Sequence, residues 1–278
     1  MGAPGALYMV DLASGQTTLV RAWSRSGYFS HVYAWSPDGR ILSYLVDVNG
    51  TYLELHLLFA AGHQVLATGV IGGFGNCWPN FDGPSRAKIA FSPDGRYVSL
   101  ETPGPGVHSP DITFPPAFQV FRVADGKLVF SRELGITTWS GTGALLFFIG
   151  SGARGLQAWD PSNVVLQLYD QFGFDWTDPS SSSDGARIAY TGNGSFPWVF
   201  DVGPNNSVTA RQLSPQKRSG AAFLSPKLVW YAEASVNNAA AYCATPVQGY
   251  IYDLADSTEH ASDITNLYDS WPHFVGQS

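Results

Sequence analysis

The hexapeptide WSPDGR at residues 35–40 returns as FSPDGR at 91–96. In S-P-D-G the proline presets the backbone at the first corner, the aspartate hydrogen-bonds the backbone locally, and the glycine takes a positive φ without steric cost. The motif is therefore a tight turn. Alternating apolar runs flank it, YAW and RILSYLV at the first copy, KIAF and RYVSLE at the second. Each copy thus predicts a hairpin with one face buried. A hairpin motif repeated at a distance points to a repeat architecture, not to a catalytic loop used twice.

Weaker copies follow as WSGTGALLFFI from Trp139, SSSDGARIAY from Ser181 and FLSPKLVWYAE from Phe223. With Ser36, Ser92, Ser140, Ser182 and Ser225 taken as equivalent points, the intervals are 56, 48, 42 and 43 residues. A four-stranded propeller blade needs roughly 40 to 50. A second hairpin type lies between these marks, in LYMVDLASGQTTLV, LELHLLFAAGHQVLA, FQVFRVADGKLVFS, LQAWDPSNVVLQLY, WVFDVGPNNSVTARQL and YIYDLADSTEHAS. Six hairpins of this type against five of the S-P-D-G type leave one blade incomplete in sequence. The expectation is an all-β, six-bladed β-propeller of four-stranded antiparallel blades, occupying residues 1–278 as a single domain. Both termini are expected to share one blade, closing the ring without an exposed sheet edge. The closing YDSWPHFVGQS supports this, because its WPHF echoes WPNF at 78–81.

The two full turn motifs, with hairpins such as LYMVDLASG and YIYDLAD, resemble the TolB-type propeller repeat, a relative of WD repeats. The likeness runs over nearly the whole chain, although two copies alone carry the complete turn. WD repeats proper are less similar: no blade pairs a Gly-His start with a Trp-Asp end, and AWD at 158–160 stands alone. The resemblance implies a β-propeller, often extracytoplasmic and often a protein-binding module. It carries over no catalytic residue, because the shared motif is a turn.

Composition narrows the function classes. Charged residues make up 13% and aromatics 14% of the 278 residues, with 30 glycines and 18 prolines, the profile of many short strands joined by tight turns. The formal net charge of −7 lacks the clustered Lys and Arg that nucleic acid or an anionic membrane would require. No run of 18 apolar residues occurs, so no membrane insertion is expected. The start MGAPGALYMVDL lacks the regions of a signal peptide.

In a meander blade the first-to-second and third-to-fourth turns share one face, while the second-to-third loops and the crossings between blades share the other. Short turns fall on the first face. The second receives RAWSRSGYFSH, GVIGGFGNCWPNFDGPSR, ETPGPGVHSPDITFPPAF, QFGFDWTD and EASVNNAAAYCATPVQG. Long loops on a rigid scaffold are where binding residues concentrate. These gather Trp23, Tyr28, Phe29, Trp78, Phe81, Phe114, Phe174, Trp176 and Tyr242 with His31, Asp82, His108 and Asp175. Rigid rings of this kind suit a protein, peptide or glycan partner, and equally suit packing between blades. Cys77 and Cys243, the two cysteines, map to the same face, so a disulfide pinning two loops is geometrically open beside a pair of free thiols.

Other motifs resolve into structure. GSGARG at 150–155 matches G-x-G-x-x-G, but LQAWD behind it reads as a strand where a dinucleotide site needs a helix, so it is a loop and no cofactor is expected. No G-x-S-x-G elbow is present. The histidines, His31, His56, His63, His108, His260 and His273, show no helical or strand spacing of a metal pair, so no metal site is expected. Asp175 and Asp178 form a carboxylate pair that either serves glycoside chemistry or caps turns beside Ser and Pro. Asn49, Asn193 and Asn205 match the N-glycosylation pattern, which arises readily in a turn-rich chain.

The leading functional expectation is a non-catalytic binding module using the long-loop face, extracytoplasmic or secreted. An alternative is a glycan hydrolase or lyase using Asp82, Asp175 or Asp178 with His31 or His108. A third is a structural component of a surface assembly.

Overall fold

The Ser-x-Asp-Gly turns fix where each hairpin reverses, and the apolar alternation on either side fixes which faces are buried. The computed structural model describes residues 6–22, 33–47, 52–60, 62–70, 88–101, 118–132, 136–140, 146–149, 156–162, 164–169, 179–192, 196–203, 207–233 and 248–263. Its strands fall into six antiparallel sheets in chain order. The first has two strands, β1 (Ala6–Val10) and β2 (Thr17–Ala22). The second is β3 (Tyr33–Trp35), β4 (Ile41–Asp47), β5 (Tyr52–Phe59) and β6 (Gly62–Val70). The third is β7 (Lys88–Phe91), β8 (Tyr97–Glu101), β9 (Phe118–Arg122) and β10 (Leu128–Arg132). The fourth is β11 (Ile136–Trp139), β12 (Leu146–Ile149), β13 (Leu156–Asp160) and β14 (Val164–Tyr169). The fifth is β15 (Ser180–Ser181), β16 (Arg187–Gly192), β17 (Phe196–Val202) and β18 (Val208–Gln212). The sixth is β19 (Arg218–Phe223), β20 (Leu228–Glu233), β21 (Gly249–Asp253) and β22 (Thr258–Ser262).

Five sheets are therefore four-stranded meanders and one, among the described residues, is a two-stranded hairpin. All eleven hairpins anticipated from the sequence are present: five enclose the Ser-containing turns and six are of the second type. This arrangement is consistent with a six-bladed propeller.

Consecutive sheets pack face to face, and the strands record it at single-residue resolution. In β8, Val98 and Leu100 turn back toward Leu45, Leu55 and Leu57 of the second sheet, while Tyr97 turns forward to Trp139 and Trp159 of the fourth. In β12, Leu146 joins the core shared with the third sheet and Phe147 the core shared with the fifth. In β16, Ile188 and Tyr190 face back and Ala189 faces forward, toward Val229 and Tyr231 of the sixth sheet. Side chains on a strand alternate in direction, so a sheet sandwiched between two neighbours buries both sets. Leu7 and Val20 of the first sheet pack against Leu42, Tyr44 and Val46 in the same manner. These five shared cores link the six sheets in chain order. The far face of the first sheet differs: Tyr8 is 56%, Val10 51% and Leu19 53% exposed.

Candidate functional site

Because each four-stranded sheet is an up-and-down meander, its connections separate onto two ends. At one end every connection is short, from 60–61 between β5 and β6 to 140–145 between β11 and β12. The other end carries 23–32, 71–87, 102–117, 170–179 and 234–248.

The short-turn end is chemically self-contained. Ser36 Oγ donates to Asp38 Oδ1 at 2.6 Å, Asp38 Oδ1 accepts from the Arg40 amide at 3.1 Å, and the Ile41 amide donates back to Ser36 Oγ at 2.9 Å. The same three bonds recur at Ser92, Asp94, Arg96 and Tyr97, and again at Ser182, Asp184, Ala186 and Arg187. The third copy lacks proline yet keeps the geometry, so serine, aspartate and glycine define this turn. Donation from Ser36 and the Arg40 amide holds the Asp38 carboxyl below the usual carboxylate range. At Asp94 and Asp184 burial pushes upward, and the serine hydroxyl, the backbone amide and a neighbouring arginine outweigh it. These carboxylates are committed to the turn. An open cleft of about 300 Å³ between Met9, Val10, Asp11, Gln16, Thr18 and Trp35 also lies toward this end. Its one carboxylate is already occupied, since Asp11 Oδ1 accepts from the amides of Ala13 and Ser14 at 2.8 and 2.9 Å.

At the long-loop end the structure describes the strand ends that carry the loops. Trp23, Tyr28, Phe29, His31, Trp78, Phe81, Asp82, His108, Phe114, Phe174, Asp175, Trp176, Asp178 and Tyr242 lie outside the described residues, as do Cys77 and Cys243. The described rim is held by polar clamps that the sequence did not announce. Glu101, at the end of β8 and 7% exposed, accepts from the Thr137 amide and from Thr137 Oγ1, both at 3.0 Å. Lys88, its register partner on β7, donates to the Thr137 carbonyl at 2.9 Å. The third sheet thus grips the first strand of the fourth. In the sixth sheet, Arg218 lies 4.0 Å from the Tyr250 ring centroid and donates to Glu259 Oε1 at 3.2 Å, while Tyr231 Oη donates to Glu259 Oε2 at 2.5 Å. Burial first, then the Glu259 carboxylate, raise the Tyr231 phenol far above its ordinary range.

A further cluster sits on the second sheet, on the face turned to β1 and β2. His56 Nε2 lies 2.9 Å from Glu54 Oε2, and His56 Nδ1 lies 2.6 Å from His63 Nε2. Sequence spacing alone does not pair these histidines. The β5–β6 hairpin does: from Phe59 opposite Gly62 the register runs unbroken through Leu58 opposite His63 to His56 opposite Val65, and the bulge between Leu55 and His56 lies just beyond the pair. Both rings then share one face two positions apart, within diagonal reach. His56 is 2% exposed, and burial is the main cause holding its basicity below the ordinary value.

Among the described residues, no group of three or more His, Cys, Asp or Glu side chains converges as a metal site, and no helix is long and apolar enough to cross a membrane.

No family model and no curated protein matches the chain. It is similar to the crystal structure of TolB from Acinetobacter baumannii, at 17% identity and a TM-score of 0.47, over 93% of this chain and 60% of that one. It is also similar to a chain in the crystal structure of the mitotic checkpoint complex, at 11% identity and a TM-score of 0.48, over 84% of this chain and 63% of the other. The chain spans less than two thirds of the length of either.

Proposed function

We propose that this chain is a non-catalytic recognition module that binds a protein, peptide or glycan through its long-loop end, outside the cytoplasm. The observation that carries this reading is the asymmetry between the two ends of the sheets. One end spends its polar groups on stereotyped turns, and the other mounts long aromatic-bearing segments on strands clamped to their neighbours. Aromatic side chains give large contact area at low entropic cost. The ring itself is completed, in this proposal, by residues near the C terminus supplying the strands that the two-stranded first sheet lacks.

The test is an array of glycans and peptides probed with the parent chain and with a variant carrying Trp78→Ala, Phe114→Ala and Trp176→Ala. Binding by the parent that disappears in a variant of unchanged circular dichroism supports the reading. Binding unaffected by the three substitutions removes the function from this face, and no binding by either chain overturns the recognition role for these ligand classes.

A further inference from the structure

We propose that His56 Nδ1 and His63 Nε2 form a binding site for a borderline or soft divalent transition cation, Zn²⁺ or Cu²⁺, completed by water. The two nitrogens point at each other across 2.6 Å, on adjacent strands of one hairpin. Glu54 Oε2, 2.9 Å from His56 Nε2, accepts that nitrogen's proton and leaves the Nδ1 lone pair directed at His63. A carboxylate that fixes the tautomer and orientation of an imidazole is the usual support behind a metal-bound histidine. Without a cation the pair is satisfied by a proton, His63 Nε2–H donating to His56 Nδ1. When the cation enters, that proton re-sites on His63 Nδ1, so both imidazoles stay neutral and both facing nitrogens become ligands.

The required movement is small. Metal–nitrogen distances of about 2.0–2.1 Å in a tetrahedral site put two ligand nitrogens about 3.3 Å apart. The pair must open by under about 1 Å on that figure. His56 is buried and held by Glu54, whereas His63 is exposed and free to swing, and its exposure admits the water ligands. Imidazole nitrogens with no carboxylate in direct coordination select Cu²⁺ and Zn²⁺ over Mg²⁺ and Ca²⁺. The groups facing the pair are Tyr44 on β4, whose ring centroid is 5.2 Å from that of His56, and Arg21 on β2, close enough to act on His56 through its charge. Arg21 opposes a cation, so its removal strengthens binding. A bound ion staples β5 to β6 on the face that receives the first sheet.

The experiment uses the full chain. Addition of ZnCl₂, with MgCl₂ as control, is followed by calorimetry and thermal melting. The expected result is one equivalent bound, a rise in Tm with Zn²⁺ alone, loss of both in His63→Ala, a 10- to 100-fold weakening in Glu54→Gln, and tighter binding in Arg21→Gln. His63→Ala is expected to melt somewhat below the metal-free parent, because buried His56 Nδ1 loses its donor, so the decisive comparison is the shift each chain shows on adding Zn²⁺. The Cu²⁺ electron paramagnetic resonance spectrum of the parent gives a readout independent of any variant, and should show two imidazole nitrogens. A spectrum with fewer than two, stoichiometric binding that survives His63→Ala, or no response to Zn²⁺ beyond that to Mg²⁺ overturns the proposal.

Discussion

At the scale of single residues, the Ser-Pro-Asp-Gly turn rests on two side chains and one glycine. Ser92 Oγ both donates to Asp94 and accepts from the Tyr97 amide, and Gly95 closes the turn at φ +70°. A Cβ there has room, with Pro37 Cδ at 3.8 Å as the nearest atom, so the cost of a side chain is conformational alone. Gly126 adds a steric cost to the same φ, because its Cβ would lie 2.3 Å from Gln64 Nε2 and 2.8 Å from Leu66 Cδ2 on the preceding sheet. Gly62 has neither problem. Gly95→Ala should therefore cost about 1–2 kcal/mol, from placing an L-residue in the left-handed region. Gly126→Ala should cost more, and Gly62→Ala should stay within about 0.5 kcal/mol. Urea melts of the three variants check the ranking; equal losses at Gly95 and Gly62 would remove backbone strain as the reason for glycine in these turns.

At the scale of elements, the six sheets were legible because both signals are local: a turn motif and period-two alternation within ten or so residues. The clamps between elements were not. Lys88 and Thr137 are 49 positions apart and Glu101 and Thr137 are 36 apart, with no spacing rule to join them. The His56–His63 contact is a diagonal pair across the β5–β6 hairpin, set by where the chain reverses and not by any spacing of histidines. The aromatic loop residues named from the sequence lie outside the described residues, in long connections that carry no such periodicity. The sixth sheet illustrates how such a cross-strand group contributes. Tyr231 on β20 donates to Glu259 on β22, and its ionisation is suppressed by burial and by that carboxylate. Raising a tyrosine's folded pKa above the unfolded value near 10 makes the native state hold its proton more tightly. The contribution is complete below about pH 10 and is lost as pH rises above it. Between pH 9 and 11.5 the parent should lose stability more steeply than Tyr231→Phe, by about one proton in the linkage slope. Parallel slopes in the two chains would show that Tyr231 ionises as freely when folded as when unfolded.

At the scale of the whole molecule, the five shared cores leave one junction to account for. Each middle sheet buries residues on both faces, as Leu146 and Phe147 of β12 do, but the first sheet buries only the Leu7 and Val20 side. On its other face Tyr8 and Leu19, direct register partners, are each more than half exposed, with Val10 beside them. A two-stranded hairpin gains little stability alone and needs further strands or a packed face. The closure proposed above would supply both, since strands added from the C terminus would lengthen the sheet and bring the sixth sheet against it. A chain ending at Asp263 would then lose more than its last fifteen residues. If closure contributes about 3 kcal/mol, Tm should fall by roughly 6–12 °C at about 2–4 °C per kcal/mol for a chain somewhat shorter than this one. Limited proteolysis of the truncated chain should cut first in 11–16, the turn of the hairpin left without cover. A Tyr8→Ser, Leu19→Ser double variant makes the complementary test on the opposite surface: large destabilisation in the full chain and little further loss in the truncated one, because both changes remove the same junction. Additive effects, or a truncation that leaves Tm unchanged, would mean that the ring is held without its C-terminal segment and that the apolar face of β1 and β2 belongs to a different partner.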